Sequence, residues 1–155
     1  MLNFAREEYL QAFNEIPEGV NDMLLSENTA EAVENLTQRY NVEADKIFDV
    51  SAIIGYAMVG LVPIKRFIDA LQSEAGLDAE TARNVAHDVR AEIFAPVAKE
   101  LADMQEKAEE NWQKAAQEAK KETETSRGEK DNDVKDEKKP ESHHKDESVT
   151  RKIIE

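Results

Sequence analysis

Fifteen consecutive uncharged residues, VSAIIGYAMVGLVPI from Val50 to Ile64, stand between Asp49 and Lys65 in a chain whose residues are 35% charged. Such a run must be shielded from water by lipid, by a ligand or by the rest of the protein. As a single helix it would extend about 22 Å, short of the roughly 30 Å hydrocarbon layer of a bilayer, and Gly60 and Pro63 shorten it further. The glycines of GYAMVG, Gly55 and Gly60, have the spacing of a phosphate-binding loop. Leu61 and Val62, however, occupy the positions where Lys and Ser or Thr would grip phosphate and magnesium. The run is therefore expected to be a core helix. Ser51, Ala52 and Gly55 form a small-residue face on which another helix could pack closely.

Helical periodicity surrounds this run. A first helix over about 3–14 places Arg6, Tyr9, Leu10 and Phe13 along one side, and Pro17 can open a short second helix over Val20, Met23 and Leu24. Ser26, Asn28 and Thr29 offer N-caps for a third helix with the stripe Ala32, Val33, Leu36 and Tyr40. The fourth, about 43–60, holds the uncharged run and stops at Gly60. Pro63 starts a fifth, with Phe67, Ile68 and Leu71 inward and Gly76 at its C-terminal end. Asp78 caps a sixth, in which Ala82, Val85, Ala86, Val89 and Ile93 keep the 3.6-residue period.

Pro96 should bend or restart the chain, because it lacks an amide donor and crowds the preceding turn. From Val97, Leu101, Met104, Ala108, Trp112, Ala115 and Ala119 recur at steps of three or four to about Lys121. That helix would be nearly 40 Å long and overhang the body. Beyond it, residues 122–155 hold 19 charged side chains and four aliphatics, too little apolar surface to offset the entropy of ordering. The expected organisation is all-α. Residues 1–96 form a bundle core of about six short antiparallel helices, and residues 97–121 form a longer C-terminal helix of the same domain. Residues 122–155 form a disordered charged tail, in which VTRKII, 149–154, is the one sticky element.

A fixed offset of 35 residues aligns NVEADKIFDVS, 41–51, with GLDAETARNVA, 76–86, matching Ala44 to Ala79 and Val50 to Val85. Offsets of this length accompany stacked helical hairpins, although helix starts also resemble one another. If the offset reflects duplication, Ala52, Ile53, Gly55 and Ala57 stand where the second copy has His87, Asp88, Arg90 and Glu92. The first copy would then be central and covered on every side, by the N-terminal helices or alternatively by an unseen partner, and the second would be peripheral.

Charge and composition narrow the function classes. Residues 1–121 carry 12 Lys or Arg against 23 Asp or Glu, and 122–155 carry 8 against 11. Such a body repels phosphate backbones and anionic lipid surfaces, so neither nucleic acid nor a membrane is an expected partner. The helix after SEAGLDAET would bring Asp78, Glu80, Asp88 and Glu92 toward a DNA groove against only Arg83 and Arg90. No basic amphipathic helix for a lipid surface is present. The absence of cysteine removes disulfides, thiolate nucleophiles and zinc ribbons. Arg6, Glu7 and Glu8 interrupt the stretch that a secretory signal would keep apolar, leaving the cytoplasm as the expected location.

No catalytic set, cofactor motif or metal motif emerges, and none of the three is expected. His87 lies off the apolar stripe of the sixth helix; to act as a general base it would need an orienting partner and a pocket. Asn84, three residues before it, replaces the Glu of a carboxylate-bridged metal bundle. His143 and His144 could at most hold a transition ion weakly. Trp112 has two readings, packing on the protein's own body or docking into a partner or second copy. The expected function is a non-enzymatic protein-interaction or scaffolding module. It would engage a protein partner, or itself, through 97–121, with Leu101, Met104, Ala108 and Trp112 as the candidate interaction residues. The alternative is a small-ligand or enzymatic helical domain with a pocket near Gly55, Tyr56 and Met58.

Overall fold

The computed structural model describes the backbone of residues 2 and 4–130, and side chains as far as Lys121. Its described residues form an all-α bundle. The helices are α1 (Arg6–Glu15), α2 (Glu18–Leu24), α3 (Glu27–Arg39), α4 (Ala44–Met58), α5 (Phe67–Ser73), α6 (Ala79–Val89) and α7 (Ala98–Lys130). None of them is long and apolar enough to cross a membrane.

Local chemistry sets the boundaries. Pro17 is the N-cap residue of α2, and the Ser26 hydroxyl accepts the Asn28 amide at the start of α3. Asp78 caps α6 more completely, accepting the amides of Glu80 and Thr81 and the Thr81 hydroxyl. Gly60 ends α4 in the left-handed region at φ 81°, where a side chain would be strained. There the Leu61 amide reaches back to the Tyr56 carbonyl at 2.8 Å, and the Gly60 amide to that of Ala57. Asn41, at φ 50°, closes α3 in the same way, with the Val42 amide on the Thr37 carbonyl at 2.8 Å.

The 35-residue offset reappears as geometry. Asn41 and Gly76 both have positive φ, Glu43 and Asp78 are both N-cap residues, and Ala44 and Ala79 each open a helix. Each helix then leads to a proline associated with a 3-10 turn, at Ile64–Arg66 after Pro63 and at Ala95–Val97 around Pro96. Ahead of Pro96 the chain widens into a π-helical turn, Arg90–Phe94. Proline supplies no amide for the carbonyl four residues back, and its ring pushes that turn outward.

The core draws on α2 to α7. Leu36, Val50, Ile53, Ile54, Met58, Phe67, Leu71 and Leu101 are buried together, and Ala82, Val85, Ala86 and Val89 of α6 join them with Ile93 of the π-helical turn. Phe67 and Phe94 meet edge to face, with ring centroids 5.5 Å apart. Packing runs α3 to α6, α4 to α5 and α5 to α6, while α2 bridges α3 and α4. The π-helical turn lies along α3 as well.

The uncharged helix is not covered all round as expected. Ile53 and Ala57 are buried, but Phe48 is 77% exposed, and a Cβ added at Gly55 would meet nothing within 4 Å. On the small-residue face, Ser51 borders a hollow shared with Ala30, Val33 and Thr37 of α3, while Gly55 faces open space. The N-terminal segment covers the adjacent edge instead, with Phe4 and Tyr9 both edge-on to Tyr56 at 5.0 and 6.0 Å. On α1, Tyr9, Ala12 and Phe13 are half-buried, as is Ile16 just beyond its end, while Leu10 faces outward.

The chain divides into two units, Met1–Ala116 and Gln117–Glu155. The first contains the bundle. In the second, the described residues are helical as far as Lys130, consistent with the good helix formers Lys120, Lys121 and Glu122. The remainder of the expected disordered tail, with His143, His144 and VTRKII, lies outside the described residues.

Candidate functional site

A groove of about 930 Å³ runs between α1 and α7 within the first unit. Its two walls are helical stripes. From α1 come Glu8, Gln11, Ala12 and Glu15, and from α7 come Glu100, Asp103, Met104, Lys107, Ala108, Asn111, Trp112 and Ala115. Both sets step by three and four residues, which keeps each on one helix face. Val59, Gly60 and Leu61, at the end of α4, close the groove between them.

The four residues expected to carry binding divide. Leu101 is 1% exposed and belongs to the core, so it backs the groove without lining it. Met104, Ala108 and Trp112 line the groove together. Trp112 is half-buried and packs against the core, so it sits on its own body while also facing the groove. Met104 Cε would lie 3.4 Å from a Cβ placed on Gly60, so the glycine that ends α4 also lets α7 approach.

The two walls are anchored differently. No residue of α1 is fully buried; its attachment is the aromatic row Phe4, Tyr56, Tyr9 and Phe13, in which Tyr9 and Phe13 stack at 6.2 Å. α7 is pinned by Gln105. Its Oε1 accepts the Ile64 amide at 2.6 Å, and its Nε2 donates to the Ala57 carbonyl at 3.4 Å. These contacts satisfy backbone groups at the end of α4 and at the turn into α5. Nothing in the spacing of the sequence marked Gln105, because its partners lie 41 and 48 residues away.

A polar cluster lies elsewhere, between α3 and α6. Asp88 Oδ2 accepts from the Tyr40 hydroxyl and from Arg39 Nη1, both at 2.6 Å, and Arg39 also reaches Glu92 at 3.0 Å. Hydrogen bonds from Tyr40, then from His87 and Arg39, hold the Asp88 carboxyl down to about 2. Those to Glu92 and Asp88 raise the Arg39 pKa, and Asp88, followed by burial, raises that of the Tyr40 phenol.

His87 therefore has an orienting partner, with Nδ1 3.0 Å from Asp88 Oδ1. Its imidazole borders a hollow of about 320 Å³, otherwise lined by Ile68, Arg83, Ala86, Arg90 and Ala91. The alternative site near Gly55, Tyr56 and Met58 has less room. Met58 is buried in the core, and the hollow beside Tyr56 and Ala52 is about 80 Å³, roughly the bulk volume of two or three waters. Among the described residues no three His, Asp or Glu side chains gather as a metal site. No protein-family model, curated protein or solved structure matches the chain.

Proposed function

We propose that the chain is a non-enzymatic protein-interaction or scaffolding module that engages its partner through the groove between α1 and α7. One observation carries this reading: Met104, Ala108 and Trp112 line a single groove long enough for a helical segment. Tryptophan beside an apolar floor is the side-chain arrangement in which binding energy concentrates. The peripheral attachment of α1 supports the same reading, since a wall without fully buried residues can adjust to an occupant.

Crosslinking followed by mass spectrometry tests it. Crosslinks to a partner or a second copy should map to α1 and residues 97–116 and should be lost in the Trp112→Ala, Met104→Ala double variant. An unchanged crosslink map, association state and interaction profile in a folded double variant would remove the proposal.

A further inference from the structure

We infer that the groove between α1 and α7 takes a basic amphipathic helix, a partner segment with a narrow apolar stripe flanked by Lys or Arg. This rests on the reading of the groove as a docking surface and adds the chemistry of its occupant.

Charge is the first ground. Glu8 and Glu15 on one wall face a groove that also receives Glu100 and Asp103 from the other, against the single base Lys107. Carboxylates gathered along a concave, partly apolar surface focus negative potential and attract a cationic partner.

Glu100 is the second ground. Its Oε2 is buried and has no hydrogen-bond partner, and it would lie 2.5 Å from a Cβ placed on Gly19. A carboxylate enclosed against Gly19 without a donor is costly, and a cationic group brought into the groove beside Glu100 would offset that cost through its charge. The α7 wall from Glu100 to Ala115 extends about 22 Å, matching roughly four turns of helix. Ala12, Met104, Ala108 and Trp112 provide the apolar surface for its stripe. A second copy is the weaker candidate, because it brings the same acidic groove and a formal charge of -14.

Trp112 is the chain's one tryptophan, so its fluorescence reports occupancy directly. The probe is a 15-residue Leu/Lys amphipathic helical peptide, and the control is the same peptide with Glu replacing each Lys. The Lys peptide should shift Trp112 emission saturably, with an affinity that falls as salt rises. Glu100→Gln with Asp103→Asn should weaken it at least tenfold. Glu27→Gln with Glu31→Gln on α3, the same change of charge away from the groove, should alter it less than twofold; circular dichroism verifies that both variants fold.

Equal binding of the Lys and Glu peptides, or equal effects of the two variant pairs, would overturn the basic-helix inference and leave the docking reading standing. So would the absence of binding by either peptide while groove crosslinks to a partner remain sensitive to Trp112→Ala. Loss of those crosslinks' dependence on the groove would instead remove the docking reading itself. Self-association abolished by Met104→Glu, a change on the groove floor, would assign the groove to a second copy and overturn the inference as well.

Discussion

The Tyr40 hydroxyl donates to Asp88 Oδ2 across 2.6 Å, tying the end of α3 to the outer side of α6. Together with Arg39 and His87 it gives the Asp88 carboxylate three hydrogen bonds. The folded carboxyl titrates at about 2, whereas an unfolded aspartate titrates near 3.9. Asp88 therefore contributes stability that is present above about pH 4 and is lost as pH falls toward 2. Urea denaturation from pH 5 to 2 should show a steeper loss for the wild type than for Asp88→Asn. Parallel profiles would mean that the cluster adds nothing to stability.

Phe67 is fully buried and meets Phe94 edge to face. Phe67→Ala should cost about 3–5 kcal/mol, combining lost transfer energy with the cavity left behind. Chemical denaturation measures it. A loss below about 1 kcal/mol would mean that α5 and the π-helical turn repack freely.

Gly55 and Gly60 should respond oppositely to alanine. Gly55 lies inside α4 facing open space, so Gly55→Ala should stabilise by about 0.5–1 kcal/mol through helix propensity. Gly60 has φ 81° and Met104 close by, so Gly60→Ala should destabilise by about 1–2 kcal/mol. Thermal melts of the two variants, read as a pair, decide this. Destabilisation at Gly55 would reveal a close neighbour on the small-residue face.

Gln105 satisfies the Ile64 amide and the Ala57 carbonyl from α7. Gln105→Ala should cost about 1–3 kcal/mol, because both groups lose a partner in a part-buried setting. Hydrogen exchange at the Ile64 amide should accelerate in the variant. If the rate is unchanged, water replaces the glutamine at no cost.

The aromatic row makes α1 the element expected to open first. Native-state hydrogen exchange should show α1 amides protected less than those of α6, whose inward face is entirely buried. Tyr56→Ala should widen that difference by freeing Phe4 and Tyr9. Equal protection of α1 and α6 would contradict a loosely attached groove wall.

Where helices begin and end was legible in the residues, because capping and helix termination are local. Asp78 had acceptors for the next amides, Gly60 could adopt positive φ, and Pro96 had no amide to give. The inward face of α6 was equally legible, since a 3.6-residue period is a property of the chain alone. Which helix opposes which face depended on packing between distant segments. That is why Gly55 faces open space in spite of its uncharged surroundings, and why Leu101 and Trp112, on the same α7 stripe, separate into core and groove. The carboxylates of α1 and α7 are about 90 residues apart in the chain; tertiary structure alone places them along one groove, and it alone brings Tyr40 to Asp88.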